Sequence, residues 1–533
     1  MTAAIPRARD FHLPGRSAAY GANGMAATSH PIATKTALEI LEAGGNAVDA
    51  AIAAALVCGI GEPAMTGIGG DMFALIHKEG EEVIGLNASG RAPAGLSAAG
   101  LRDAGLSAMP DKDARSVTVP GAIDGFCRLS ADHGRLGLDR VLAPAIRWAE
   151  EGIPAAPRVA FDWKTAADRL TGAARTHYLE NDGPLAPGRI FRAPGQAEVL
   201  RRIAKDGRAG FYEGEVAQDM VASLQALGGA HTLDDFAATA CDYVDPISGD
   251  YRGTELVELP PNGHGATAIL LAKILGHFDL ASMDPFGIER AHVEAEATKL
   301  AYDARNRLIG DPQHAKIRLA HMVADETAAK LARLIDPKRA MTSVSEISEA
   351  VHKETIYLTV VDRDLVKVSL IYSIFHNFGS GLASDRFGIL FQNRGMGFTL
   401  EEGHPNEAAP GKRPLHTIIP AMLKQGGEVT TTYGVMGGAY QPCGHARVLS
   451  NLVDYGMEPQ AAVDAPRCFA DVGGLNIERG YPTEVRTGLA EMGHQVAVPE
   501  TPIGGSQMIV IDRENGVLIG ASDPRKDGCA IGI

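Results

Sequence analysis

Residues 354–381 read ETIYLTVVDRDLVKVSLIYSIFHNFGSG. Thr355 to Val361 is β-branched and apolar, Asp362 to Leu365 has the composition of a turn, and Val366 to Ile374 is a second β-rich run, so the stretch predicts a β-hairpin. Ahead of it, Asp336 to Glu354 is polar, weakly patterned and rich in Ser, Glu and Lys, which predicts an exposed, mobile segment. A buried sheet is therefore expected to begin where a loose segment ends, at the bond between Glu354 and Thr355.

Towards the N-terminus, apolar residues recur at helical spacing from Thr34 to Ala43, and Gly44-Gly45 supplies a C-terminal stop. Asn46 is placed to cap a second helix, with Asp49 in its first turn and the alanine-rich Ala50 to Val57 behind it. The pair predicts a helical hairpin packed closely through small side chains. Thr66-Gly67-Ile68-Gly69-Gly70-Asp71 follows, then two expected strands, Met72 to His77 and Val83 to Leu86. The glycines do not form a dinucleotide loop, because that loop needs a strand before it and a helix after it, and here the order is reversed. From Asp124 to about Ile335 the pattern is mostly helical, including Ile288 to Leu308, around a turn at Pro260-Pro261-Asn262-Gly263-His264-Gly265.

The 533 residues, 45% hydrophobic and 22% charged, suffice for a large core. Length alone would suggest about three or four domains, yet no stretch reads as a linker. A net charge of −15 argues against a phosphate-backbone binder, so no nucleic-acid partner is expected. Met1 to Tyr20 contains no apolar segment of the secretory kind, and Ala50 to Ile60 is too short to span a bilayer, which gives the expectation of a cytoplasmic protein without a membrane partner. Six cysteines without CxxC spacing read as buried thiols. The seventeen histidines contain no HExxH motif or close His/carboxylate cluster, His376 and His264 read as packing or loop residues, and neither metal nor cofactor is expected.

Glu354-Thr355, Val360-Val361-Asp362, the strand ending in Ser373 and Phe378-Gly379-Ser380-Gly381 resemble the start of the small subunit in the gamma-glutamyltransferase family. GMAATSHP (24–31), GGNAVDAAIAAA (44–55), EPAMTGIGGDMF (62–73), NASGRAP (87–93), VPGAIDG (119–125), KRPL (412–415), Gly437-Gly438 and GASDPR (520–525) fall in the family's order. The resemblance implies an α+β fold, a four-layer αββα sandwich of the N-terminal-nucleophile type. It implies one precursor cut into a large subunit, 1–354, and a small subunit, 355–533, which are each other's partners; a dimer of such pairs is left open. The chemical logic stands without the family. A threonine hydroxyl needs an adjacent base, and an N-terminal α-amine, with an unperturbed pKa of roughly 7.7 to 8.0, supplies one. Cleavage before Thr355 would create that base.

The resemblance also implies site roles. Ser373 stands where a family hydroxyl bonds the nucleophile, an ordinary strand serine being the alternative. Gly437 and Gly438 match the oxyanion pair, and Arg91 matches the arginine that grips a substrate carboxylate. Other positions depart from the family. Where members hold a substrate ammonium with an Asn, a Gln or Glu, and an Asp, this chain has Phe375, Arg394 and Gly397. A serine pair becomes His416-Thr417, and the Thr-His after the nucleophile becomes Ile356-Tyr357. Phe375, Tyr357, Arg394, His416 and Thr417 are therefore the residues expected to set the substrate. Two arginines facing one site would repel an ammonium, since like charges at about 4 Å cost on the order of a few kcal/mol. A small anionic amide fits better than glutathione, as in the oxamate amidohydrolase branch of the family. The alternatives are a glutathione hydrolase, gamma-glutamyltransferase or glutaryl-type acylase and, in a different class, an uncleaved binding protein that keeps the fold.

Overall fold

The computed structural model describes His12 and residues 15–341, 355–471 and 474–533. Glu354 and most of the stretch expected to be mobile, 342–354, lie outside the described residues; of its beginning, 336–339 are exposed. The predicted hairpin forms as Ile356–Asp362 and Lys367–Ser373, antiparallel, with Ile356 opposite Tyr372 and Val361 opposite Lys367. Asp362 fixes its turn. Its Oδ1 accepts from the amides of Asp364 (3.0 Å) and Val366 (2.9 Å), while Oδ2 accepts from the Ala47 amide at 2.9 Å. Ala47 opens the helix Ala47–Gly61, so one carboxylate closes the hairpin and meets the positive end of a helix. Asn46 and Asp49 complete that helix start as a reciprocal capping box.

The hairpin lies at the centre of a seven-stranded sheet in the order Cys529–Gly532, Gly24–Thr28, Ile356–Asp362, Lys367–Ser373, Asp71–His77, Ile84–Ala88, Asp242–Val244. A second seven-stranded sheet runs Ala19–Gly21, Val517–Ser522, Gly505–Asp512, Glu428–Met436, Ala421–Gln425, Thr254–Glu258, Ile247–Tyr251. Every neighbouring pair in both sheets is antiparallel. Side chains alternate across the nucleophile strand as its period of two requires. Ile356, Leu358 and Val360 face the alanine-rich helix Ala47–Gly61 in one cluster, while Tyr357 packs with Phe73, Ile371, Met422 and Met436 between the sheets. Thr359 and Thr432 join the two sheets through a 2.6 Å hydroxyl contact. Helices Gly265–Leu275, Ile288–Leu308 and Gln441–Val453 cover the second sheet from its other side. The molecule is thus the expected αββα sandwich.

The central region is mostly helical, as expected, and also contributes the strands Asp242–Val244, Ile247–Tyr251 and Thr254–Glu258. Two readings are corrected. The first helix starts at Pro31, three residues earlier than its pattern suggested, because proline suits the first helical position. Of the six thiols, all free, Cys58, Cys443 and Cys468 are buried, but Cys127, Cys241 and Cys529 are only half-buried. Among the described residues no helix is long and apolar enough to cross a membrane.

Candidate active site

The site assembles where three strand ends meet. Ser373 ends its strand directly opposite Asp71, and Thr355, one residue before Ile356, extends the same row on the other side. Thr355 is 1% exposed, and its Oγ1 lies 3.4 Å from Ser373 Oγ. The glycines before Asp71 allow this convergence: a Cβ on Gly70 would fall 2.3 Å from the Ser373 carbonyl oxygen, and one on Gly69 1.9 Å from that of Leu390.

After Ser373 the chain turns sharply at Phe375, whose φ is 79°, and loops back so that the Gln392 amide bonds the Gly69 carbonyl at 3.1 Å. The return delivers Arg394, which is fully buried. Its Nη1 donates to Thr417 Oγ1 at 2.8 Å and its Nη2 to Ser373 Oγ at 3.2 Å, while the guanidinium carbon sits 4.1 Å from the centre of the Phe375 ring. Its Nε has no hydrogen-bond partner among the described residues. Burial pulls the guanidinium down to about 9, against the opposing field of Asp71, so the group stays a cation at neutral pH.

Asp71 ties these parts together, and sequence reasoning missed it. Oδ1 accepts from the amides of Gly90 (2.9 Å) and Gly121 (3.0 Å) and from Gln392 Nε2 (2.8 Å); Oδ2 lies 3.0 Å from His416 Nε2. His416 is pushed down to about 3 by burial and then by Arg394, with Asp71 opposing, and is neutral at pH 7. Its ring contacts Asp71 and Phe73. The signal available in the sequence was an acidic residue between a glycine run and an apolar strand, a place where a carboxylate needs a reason to be buried.

Other expected residues are placed differently. Tyr357 is fully buried between the sheets, its hydroxyl 2.7 Å from Ser369 Oγ, which makes it a core residue and corrects its expected place in the substrate wall. The Arg91 guanidinium, 27% exposed, binds Gln313 Oε1 (2.9 Å) and the Gly411 carbonyl (3.1 Å) and pairs with Asp242 (3.5 Å) and Asp311 (3.6 Å). His376, read as a packing residue, stacks on Phe375 at 4.6 Å and holds Asp111 at 2.8 Å. Burial opposes ionisation of Asp111, but hydrogen bonds from Arg169 and His376 hold its carboxyl well below the usual range.

The gamma-glutamyltranspeptidase family model matches residues 33–533. The chain is 35% identical to the glutathione hydrolase-like YwrD proenzyme of Bacillus subtilis (strain 168), over 96% of this chain and 99% of that one. It is 32% identical to the oxamate amidohydrolase proenzyme of Klebsiella pneumoniae, over 96% and 98%. Among solved structures, the cephalosporin acylase from Bacillus halodurans superposes with a TM-score of 0.92 at 36% identity, over 99% of both chains. The chain belongs to the gamma-glutamyltranspeptidase family. It is a hydrolase of amide bonds, which removes the binding-protein alternative.

The glycine pair follows the strand Glu428–Met436 in the sheet facing the nucleophile strand. Gly437 and Gly438 have φ of 115° and 54°, values that favour glycine, and they lead through one short turn into the helix Gln441–Val453. A Cβ on Gly437 would lie 3.0 Å from Gly504 Cα, so the turn is also tightly packed. The structure thus brings Thr355, Ser373, Phe375, Arg394 and Thr417 into one contact network, with His416 one step behind through Asp71. Outside that network, His292, Glu296 and His494 stand at metal-ligand spacing, which corrects the expectation that no such cluster occurs.

Proposed function

We propose that the chain is a proenzyme that cuts itself between Glu354 and Thr355, giving subunits 1–354 and 355–533, and that the freed Thr355 hydrolyses the amide of a small carboxylate-bearing substrate of the oxamate type. In the precursor the Thr355 hydroxyl attacks the Glu354 carbonyl, the acyl group moves from nitrogen to oxygen, and water hydrolyses the ester. The new α-amine then takes the proton from Thr355 Oγ1 as the hydroxyl attacks the substrate carbonyl. The tetrahedral oxyanion is assigned to the amides of Gly437 and Gly438, the amine leaves with a proton, and water releases the acid.

The observation that carries the substrate assignment is Arg394. A fully buried cation, with one donor unpartnered and another on Ser373 Oγ, stands one hydroxyl away from the nucleophile. Such a cation binds a planar carboxylate through paired hydrogen bonds and repels an ammonium. Phe375 closes over its face and shortens the space, which favours a small acyl group. Arg91 has its charge balanced by Asp242 and Asp311 and so carries less of the substrate assignment than Arg394.

The 0.92 superposition on a cephalosporin acylase supports a second reading, hydrolysis of a longer carboxylate-bearing amide of the glutaryl type. Purified enzyme offered oxamate, a glutaryl anilide and a gamma-glutamyl anilide side by side separates the readings. Ammonia released from oxamate with the largest kcat/KM supports the first. Preference for the glutaryl anilide supports the second, and preference for the gamma-glutamyl anilide means that Arg394 does not exclude an ammonium.

A further inference from the structure

His292 and Glu296 lie one turn apart on the helix Ile288–Leu308, so both side chains leave the same face. His494 follows the helix Thr483–Glu491, after which Gly493 takes φ 101°; that turn swings His494 onto the helix Ile288–Leu308. All three are buried, and one ligand atom from each falls within 4.8 Å of the other two. His292 Nε2 lies 2.7 Å from the Asp336 carbonyl oxygen, which only accepts, so Nε2 carries the proton and Nδ1 presents a lone pair. That lone pair faces His494 Nε2 at 2.8 Å. Glu296 accepts from Lys299 Nζ (2.6 Å) and from the Met341 amide (2.8 Å), two of about four acceptor positions on a carboxylate.

We infer that His292, Glu296 and His494 form a binding site for a divalent transition metal of the zinc class, distinct from the amide-hydrolysing centre. Two imidazole nitrogens and one carboxylate are a ligand set that zinc takes with water in the fourth position. The Asp336 carbonyl fixes the His292 tautomer as an outer-shell partner does. Zinc–nitrogen bonds of about 2.0 to 2.1 Å at tetrahedral angles separate two nitrogens by roughly 3.3 Å, so binding needs the rings to part by about half an ångström. The ligands stand on both sides of Thr355 in sequence. Their partners Asp336 and Met341 belong to the segment that runs towards it, and the Ala340 amide bonds the Met492 carbonyl at 2.8 Å beside them. A bound metal would therefore clamp residues 336–341 between two helices.

The test is a zinc titration of untagged full-length protein stripped with EDTA, in competition with a chromophoric chelator, with bound metal counted by mass spectrometry and cobalt(II) absorption as a second probe. One zinc per chain is expected, with cobalt showing the intense visible bands of tetrahedral nitrogen/oxygen ligation. His292→Gln, His494→Gln and Glu296→Gln should each weaken binding by at least about tenfold. Glu296→Gln keeps the side-chain shape and decides the matter if a histidine variant fails to fold. No stoichiometric zinc in the parent, or equal binding in parent and Glu296→Gln, overturns the inference and leaves a hydrogen-bonded histidine pair.

Discussion

Arg394 has two jobs that mutation can separate. It donates to Ser373 Oγ and Thr417 Oγ1, and it offers its charge to the substrate. A charge-assisted hydrogen bond contributes about 1.5–3 kcal/mol, so Arg394→Ala should lower kcat/KM for oxamate by roughly 10- to 100-fold, mainly through KM, and harm self-cleavage much less. Steady-state kinetics beside a gel of the fragments checks this; unchanged KM removes the assignment. Ser373→Ala should instead act on kcat, because Ser373 Oγ lies 3.4 Å from Thr355 Oγ1, and a fall in kcat of less than twofold would deny it a positioning role. At this scale the sequence was legible where a resemblance named a position: Thr355, Ser373, Arg394 and Thr417 do meet. It was not legible for Asp71, whose four partners come from separate segments and share no spacing. Arg91 and Tyr357 show the converse, since matching a motif fixes backbone position while neighbours such as Asp242 and Ser369 decide where the side chain ends.

Between elements, the nucleophile strand fits closely on the facing sheet. A Cβ on Gly434 would lie 2.3 Å from the Tyr357 ring, so Gly434→Ala should destabilise the protein by about 1–3 kcal/mol, read as a lowered denaturation midpoint. Combining it with Tyr357→Leu should recover part of the loss; no recovery would place the strain elsewhere. Tyr357→Phe removes the hydroxyl with its bond to Ser369 and should cost about 0.5–1.5 kcal/mol with KM unchanged, whereas a shifted KM would return Tyr357 to the substrate wall. The hairpin and the two N-terminal helices were legible because each has one dominant signal, period-two β-branching or Asn46 followed by alanines. The strands Ile247–Tyr251 and Thr254–Glu258 were not, because they are short, with polar alternation, and run at a sheet margin: they pair with each other, and only Thr254–Glu258 meets a partner far along the chain, Ala421–Gln425.

Over the whole molecule, acid should be destabilising. Burial pushes His30 and His231 down to about 4 and His416 to about 3, against about 6.5 when unfolded. Between pH 6.5 and 4 these three side chains bind protons in the unfolded chain that they refuse in the folded one, so this stability is present above pH 6.5 and lost as pH falls. Glu62, raised to about 7 by burial, opposes with one proton. Each net proton is worth roughly 1.4 kcal/mol per pH unit, and the guanidinium midpoint should be clearly lower at pH 4.5 than at pH 6.5. An equal or higher midpoint at pH 4.5 would mean that these histidines are not held neutral. The sandwich itself was legible only through the resemblance, since no local pattern tells two seven-stranded sheets that they face each other. The central claim is that Thr355 cuts its own chain, and intact-mass measurement on the parent, Thr355→Ala and Thr355→Ser tests it most directly. Two fragments meeting at Glu354/Thr355 in the parent and in Thr355→Ser, with Thr355→Ala whole, are the predicted result. A whole parent chain, or a Thr355→Ala chain cut at the same bond, would contradict it.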